Sequence, residues 1–273
     1  MSKDEFYIGW QEEMPPSNKR FIKRILIGLF ILIPLFLMYG VLFQKPFNHH
    51  QFEFGTLTEL TGIYHDNPVP ILEVSNEDST AFILLVGFGK FGAEEIISDI
   101  EKEQGNLDGK EVTFAGTLIY GDGVTLLELT NQEDSYVSSK DLKTENVDEV
   151  EDLGEFEWYG EILDPKCYFG VMKPGEGKIH KSCAIRCLSG GIPPVMRVIP
   201  HYGSEYNYYL VRGKNGEKVN EEVLKYIGES IDYSATITQQ NGWKVLNIDL
   251  ESIKAERDYD LKDLDVLNRD DYE

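Results

Sequence analysis

Residues 109–129 read GKEVTFAGTLIYGDGVTLLEL, and residues 228–248 read GESIDYSATITQQNGWKVLNI. The two stretches align without a gap, and their apolar positions alternate in step, as in strands that bury one face. Asp122-Gly123 in the first stretch faces Asn241-Gly242 in the second, and both dipeptides are typical of tight hairpin turns. The alignment predicts two similar hairpins, each belonging to one copy of a duplicated domain.

The segments before each hairpin repeat as well. Strand patterns in the first copy cover 52–60, 71–74 and 81–86, and a helical pattern covers 93–104. In the second copy the strand patterns cover 156–163, 195–199 and 208–211, and a short helix capped by Asn220 is expected over 221–227. Three strands, a helix and two strands is the order of the five-stranded OB barrel. We therefore predict a mainly β fold with short helices, built from two tandem OB-like barrels.

An apolar segment precedes the first copy. Residues 25–43 (ILIGLFILIPLFLMYGVLF) carry no charge, and a helix of ~20 apolar residues crosses a bilayer core. The apolar run is longer than the core of a signal peptide, and no small-x-small cleavage site follows it. The basic residues before it are Lys19, Arg20, Lys23 and Arg24, whereas only Lys45 follows closely. The positive-inside rule then predicts a single-pass anchor in the inner (cytoplasmic) membrane, with the N-terminus inside and the barrels periplasmic or extracellular.

These features predict six segments along the chain. They are a cytoplasmic N-terminal segment, a transmembrane helix, a first barrel, an acidic linker, a second barrel with a Cys/His insertion at 165–194, and an acidic tail. Their ranges are 1–24, 25–43, 44–137, 138–155, 156–252 and 253–273.

Composition and motifs exclude several functions. The chain has 48 acidic and 26 basic side chains, a net charge of −22, so nucleic acid is not an expected partner. No G-x-S-x-G, H-E-x-x-H or phosphate-loop motif is present, so hydrolase and kinase chemistry are not expected. Residues 87–92 (GFGKFG) fit G-x-G-x-x-G, but they lie in a small β-barrel pattern without a βαβ unit, so we predict no dinucleotide site.

The two copies differ most between their first and second strands. This loop has ten residues in the first copy (61–70) and thirty in the second (165–194), and all three cysteines lie in the longer loop. From 165 to 197 there are six basic side chains and one acid, a net of +5. Such charge can stabilise thiolates, or hold an anionic ligand or an acidic partner surface. We predict a cofactor-binding set in the insertion, made of Lys173, Lys178, Lys181 and Arg186.

The spacing of the insertion also predicts metal ligands. Residues 179–188 can form a helix that ends at Gly190-Gly191, and it would place His180, Cys183 and Cys187 on one face. Cys167 could supply a fourth ligand. A Cys₃His set suits zinc, and soft ligands also suit Cu⁺. Haem is not expected, because no C-x-x-C-H motif is present.

Two other roles of the cysteines stay open at this point. Cys167 can form a structural disulfide with Cys183 or Cys187, which leaves one thiol over, or the thiols can be redox-active. A Cys183–Cys187 disulfide within one helix is less suited to disulfide geometry. Asp164 can orient a ligand, or simply close the turn before Pro165.

The same residues carry a resemblance. Gly160-Glu161-Ile162-Leu163-Asp164-x-x-Cys167, followed by Cys183-x3-Cys187-Leu188 and a downstream glycine, resembles the G-x-I/V-x-D-x-x-C … C-x3-C-I/V/L-x-x-G pattern of small exported bacterial β-barrel domains. The string DPKCYFGVMKPGEGKIHKSCAIRCLSGGIPP resembles membrane-anchored bacterial β-barrel (OB-like) proteins of similar layout. The match runs from Trp158 through the final hairpin. It implies a bacterial origin and important cysteines, but no reaction.

We therefore expect a non-enzymatic accessory, assembly or cofactor-handling protein of a membrane complex. Its partners would be the membrane and another protein of that complex, and its Cys/His loop would be a metal or structural disulfide site. The first alternative is a thiol–disulfide or metal-dependent redox protein. The second is a purely structural module that binds a protein through its surface.

Overall fold

The computed structural model describes residues 14–44, 50–76, 79–142, 150–170, 172–198 and 206–255. Residues 1–13 of the predicted N-terminal segment, 143–149 of the predicted linker and 256–273 of the predicted acidic tail lie outside the described residues. The chain divides into two compact units, Met1–Phe47 and Asn48–Glu273.

The described residues of the first unit form one helix, α1 (Pro16–Phe43), of 28 residues. It begins with a proline at its first position, where the missing backbone donor costs nothing. Pro34 lies inside it, and no side chain of the helix is buried. Its length and apolar composition are sufficient to cross a membrane.

The second unit begins with a closed five-stranded barrel. Its elements are β1 (Gln51–Phe52), β2 (Thr58–His65), β3 (Ile71–Ser75), β4 (Thr80–Gly87), α2 (Glu94–Gln104), β5 (Glu111–Gly121), β6 (Val124–Leu129), α3 (Gln132–Ser135) and β7 (Tyr136–Lys140). Around the barrel the strands follow the order β5-β2-β3-β4-β6, and β6 pairs back with β5 to close it. Strands β4 and β6 run parallel, and the other pairs are antiparallel.

A second barrel with the same connectivity follows. Its elements are β8 (Glu151–Leu163), α4 (Pro165–Phe169), α5 (Gly177–Ser189), β9 (Val195–Val198), β10 (Asn207–Gly213), α6 (Asn220–Val223), a 3₁₀ turn (Leu224–Tyr226), β11 (Ser230–Gln240), β12 (Trp243–Ile248) and β13 (Lys254–Ala255). The strand order is β11-β8-β9-β10-β12, closed by the pairing of β12 with β11, and β10 and β12 are again the parallel pair.

The predicted fold class is confirmed: one long apolar helix precedes two OB-like barrels in a mainly β chain. The two hairpins match residue for residue, since β5 and β11, and β6 and β12, begin and end at aligned positions. Asp122 and Asn241 both have positive φ, at 49° and 43°, and each precedes a positive-φ glycine. This is the backbone of a tight turn that suits the twist of a hairpin.

Three details differ from the sequence prediction. Strand β2 begins at Thr58 and continues to His65, because it pairs with β5 and then β3, so the first inter-strand loop is shorter than expected. Asn220 does not cap its helix; Val219 is the N-cap, and the Asn220 side chain donates to the backbone oxygens of Leu188 and Ile192, at 2.8 Å each. Strands β7 and β8 reach into both ends of the stretch predicted as a linker.

The two barrels share a hydrophobic core. One buried cluster takes residues from both, and a fully buried residue of this kind contributes about 1.5–3 kcal/mol. The first barrel supplies Val69, Ile71, Leu84, Val86, Ile119 and Leu126, and the second supplies Leu163, Phe169, Cys187, Ile192, Val195, Leu210 and Val245, among others. The insertion of the second barrel therefore packs directly against the first.

Candidate metal centre

The short helix α4 positions Cys167. Asp164 is its N-cap: the Oδ1 oxygen accepts from the backbone N–H groups of Lys166 at 3.0 Å and Cys167 at 3.3 Å. Pro165 follows at the first helical position, where its fixed φ suits a helix start. This local chemistry fixes the Cys167 side chain at the beginning of the insertion.

Helix α4 is also held by a buried ion pair with the first barrel. The Lys166 ammonium pairs with the Glu128 carboxylate on β6 and donates to the carbonyl oxygens of Gly87 at 2.6 Å and Gly89 at 2.8 Å. Both charged side chains are buried. The buried ammonium therefore has a carboxylate partner and two carbonyl acceptors, which offset the cost of burying its charge. The two carbonyl contacts also join α4 directly to the glycine loop (residues 87–92).

Helix α5 presents the other three predicted ligands and is held at both ends. At its start, the Gly177 N–H donates to Glu161 Oε1 at 2.6 Å, and Arg197 donates to Glu161 Oε2 at 2.9 Å. At its end, Asn220 holds the Leu188 carbonyl. The helix buries His180 and Cys187, whereas Cys183 is partly exposed. The predicted helix over 179–188 is therefore confirmed, within a helix of Gly177–Ser189.

The glycine loop lies backbone to backbone against the end of α5. The Gly92 N–H donates to the Gly190 carbonyl at 3.0 Å, and a Cβ on Gly190 would overlap the carbonyl oxygen of Lys90. Only glycine permits this approach. This backbone contact places the Lys90 side chain of the first barrel beside the cysteines of the second.

The three cysteines form a compact group, which we call the thiol cluster (Cys167, Cys183, Cys187), and Lys90 contacts it. All three thiols are free. Cys167 Sγ lies 3.7 Å from Cys183 Sγ. The Lys90 Nζ lies 2.9 Å from Cys183 Sγ and 3.6 Å from Cys187 Sγ.

Two sets of candidate ligands meet in the cluster. The ligand atoms of Cys167, His180 and Cys183 lie within 4.8 Å of one another, and so do those of Asp164, Cys167 and Cys187. The four predicted ligands thus do not make one group at this distance. Cys187 is instead grouped with Cys167 and Asp164.

The protonation of these groups follows from burial and neighbours. Burial lowers the pKa of His180, so its imidazole is neutral at pH 7 and has a lone pair for a metal ion. The hydrogen bond with Cys187, then burial, then the Asp164 carboxylate raise the pKa of Cys167. The hydrogen bond with Cys183 raises the pKa of Lys90, so this side chain stays a cation. Metal binding would therefore displace the Cys167 proton, and affinity would rise with pH.

Two of the four predicted cofactor-binding residues contact other side chains, and the other two are exposed. Lys181 pairs with Glu229 at 3.2 Å, and Lys173 Nζ lies 3.0 Å from His50 Nδ1. Lys178 and Arg186 are exposed on α5. In the part of the chain that the structure describes, the cation in contact with the cysteines is Lys90, not one of these four.

Two residues of the site were absent from the predicted ligand set. Lys90 lies in a loop whose sequence pattern resembles only a nucleotide motif, and its contact depends on how the barrels pack. Asp164 was expected either to orient a ligand or to close the turn before Pro165, but its burial beside two cysteines was not foreseen. The D-x-x-C spacing is the one local signal that pointed to it.

Comparison of the chain with protein-family models, curated proteins and solved structures finds no match.

Proposed function

We propose that this chain is a single-pass membrane-anchored protein that binds a soft or borderline metal ion, Zn²⁺ or Cu⁺, between its two barrels. It would serve as a non-enzymatic accessory, assembly or cofactor-handling component of a membrane complex. The apolar helix α1 would be its uncleaved anchor, and the barrels would lie on the periplasmic or extracellular side.

One observation carries the metal assignment: two thiols and a buried histidine converge, with Cys167 Sγ and Cys183 Sγ 3.7 Å apart. Two thiolates bound to one tetrahedral zinc ion, at ~2.3 Å each, lie about 3.8 Å apart. The His180 Nε2 atom is buried and has no hydrogen-bond partner among the described residues. A metal ion would satisfy this nitrogen, whose burial otherwise costs free energy.

Three protein ligands leave one position of a tetrahedral ion for an incoming group. Cys183 is partly exposed, and Lys90 beside it is exposed, so this side of the site meets solvent. The Lys90 ammonium would donate to the Cys183 thiolate and offset part of the negative charge of the ligands. An accessible site of this kind suits an ion that is passed on to a partner.

The test is the metal content of the full chain, purified in mild detergent without chelator and measured by elemental mass spectrometry. We expect stoichiometric zinc or copper in the wild type, and the loss of the ion held by Cys167, His180 and Cys183 in both Cys183→Ser and His180→Gln. Ser182→Ala is the matched control, because Ser182 is exposed on the same helix. A folded wild-type protein that contains no metal and takes up neither added Zn²⁺ nor Cu⁺ would overturn the proposal.

A thiol–disulfide function is the second candidate, and the same 3.7 Å separation supports it. A disulfide requires about 2.05 Å between the sulfurs, which a small side-chain movement could supply. Cys167 and Cys183 would then give two electrons and two protons to a partner disulfide, which becomes two thiols. A redox titration with glutathione, followed by peptide mass spectrometry, tests this. Absence of an exchangeable Cys167–Cys183 pair removes the candidate.

A further inference from the structure

Cys167 occupies a singular position in the thiol cluster because it belongs to both candidate ligand sets. On one side it is grouped with His180 and Cys183, and on the other with Asp164 and Cys187. The two sets have no other member in common. The Cys167 sulfur therefore lies between two pairs of ligands, each pair able to hold one ion.

Asp164 provides a second, independent observation. Its side chain is fully buried, at 0% exposure. Its Oδ1 oxygen is used by the cap of α4, but its Oδ2 oxygen has no hydrogen-bond partner among the described residues. A buried carboxylate oxygen without a hydrogen-bond partner costs free energy. An oxygen of this carboxylate and the sulfurs of Cys167 and Cys187 lie within 4.8 Å of one another, close enough to bind one ion.

The unsatisfied atoms are distributed evenly between the two sets. His180 Nε2 is the buried polar atom without a partner in one set, and Asp164 Oδ2 is its counterpart in the other. A single ion bound to Cys167, His180 and Cys183 would satisfy the imidazole and leave the carboxylate unpaired. Two ions would satisfy both.

Two divalent ions would also balance the charge of the bound form. Once the ions have displaced the thiol protons, the three cysteines and one aspartate carry four negative charges, which two divalent ions neutralise. Among the described residues, Lys90 is the cation in contact with the thiols. As each S–metal bond forms, the thiol proton passes to solvent, so no oxidant or reductant is needed.

We infer that the thiol cluster binds two divalent, thiophilic ions of the Zn²⁺ class, joined by the Cys167 thiolate as a bridging ligand. His180 and Cys183 complete the first ion, and Asp164 and Cys187 complete the second. This inference rests on the proposed metal-binding function and adds the number of ions, the bridge and the role of Asp164.

The test is a Zn²⁺ and Co²⁺ titration of the metal-free full chain in detergent, read by bound metal after desalting and by cobalt–thiolate absorbance. We expect about two ions per wild-type chain, and about one in Asp164→Asn and in Cys187→Ser. Asparagine caps a helix as well as aspartate does, so Asp164→Asn keeps the α4 cap and removes the negative charge. Thermal unfolding of each variant confirms that it is folded.

The bridge has its own signature. Cys183→Ser and Cys187→Ser should each remove one ion, whereas Cys167→Ser should weaken both. If Cys167→Ser fails to fold, the numbers of ions bound by Asp164→Asn and Cys187→Ser decide whether the second ion is present. A wild-type endpoint at about one ion, unchanged in Asp164→Asn and Cys187→Ser, would overturn the two-ion centre and leave the proposed function standing. No bound ion in the wild type would remove both.

Discussion

At the scale of single residues, Lys166 shows how the chain tolerates a charge in its interior. Its ammonium has a carboxylate partner, Glu128, and two backbone carbonyl acceptors from the glycine loop. The sequence predicted that this lysine would contribute to a positive loop. The structure instead uses its charge inside the molecule, in an ion pair between the barrels.

Replacing Lys166 by methionine should therefore be strongly destabilising. It would leave the Glu128 carboxylate buried without its partner, and breaking a buried pair costs about 3–5 kcal/mol. The double variant Lys166→Met, Glu128→Gln should recover most of the loss, because no unpaired charge remains. Urea unfolding followed by tryptophan fluorescence measures both, since Trp243 lies in the shared core. A loss of less than about 1 kcal/mol in the single variant would contradict the buried pair.

Arg197 repeats this pattern. Its guanidinium is buried and pairs with the carboxylates of Glu161 and Glu176. Together with Lys181, which pairs with Glu229, half of the six basic side chains in the insertion region have acidic partners. The net charge of the segment thus overstates the charge that it offers to a ligand, since Glu128, Glu161 and Glu229 lie outside the segment.

At the scale of secondary-structure elements, the repeated hairpins were predictable to within about two residues at the ends of their strands. Alternation and the Asp-Gly and Asn-Gly turns are local signals, and together they indicated β5–β6 and β11–β12. Helix α5 was predictable for the same reason: its ligand face follows from helical spacing, and its end from glycine. The start of β2 was less predictable, because strand pairing over Thr58–His65 decided it.

The contact of the glycine loop with α5 could not be predicted in this way. Lys90 and Cys183 are 93 positions apart, and nothing in either segment specifies the other. What joins them is the packing of one barrel on the other, supported by the close approach at Gly190. When two domains share a site, the sequence pattern of one domain predicts only the residues that this domain contributes.

Gly190→Ala tests this contact. The backbone at Gly190 (φ −79°, ψ 0°) accepts alanine, so the expected effect comes from the overlap of the new methyl group with the Lys90 carbonyl. We expect about 1–3 kcal/mol of destabilisation and faster alkylation of the buried Cys187, because the loop must move away. Peptide mass spectrometry after timed labelling measures the alkylation.

The matched control is Lys90→Met, which removes the ammonium but keeps the backbone contact. In that variant Cys187 should stay protected, because the close approach of the backbone at Gly190 is unchanged. Unchanged stability and unchanged Cys187 protection in Gly190→Ala would show that the loop does not cover the cluster.

At the scale of the whole molecule, the two barrels are joined by a shared hydrophobic core as well as by the chain that connects them. Barrel 2 carries the cysteines and the histidine, and barrel 1 supplies the neighbouring cation. Any change that separates the barrels should therefore alter the site. An OB barrel often uses its first inter-strand loop for a ligand, and here that loop also forms the interface between the copies.

The orientation of the chain in the membrane is the last prediction. Lys19, Arg20, Lys23 and Arg24 lie on one side of the apolar run, and positive residues remain on the cytoplasmic side. We expect a C-terminal alkaline phosphatase fusion to be active in bacteria, because that enzyme forms its disulfides only outside the cytoplasm. The fusion should stay in the membrane fraction after a carbonate wash and retain peptides from residues 16–43.

A variant with these four basic residues changed to glutamine, and four lysines inserted after Gln44, reverses the charge bias around the same helix. Its phosphatase activity should fall sharply while its amount in the membrane stays similar, because the barrels would remain inside. An inactive wild-type fusion would contradict the predicted orientation. A soluble, active fusion that lacks the peptides of α1 would instead identify the helix as a cleaved signal, and the thiol cluster would then belong to a free exported protein.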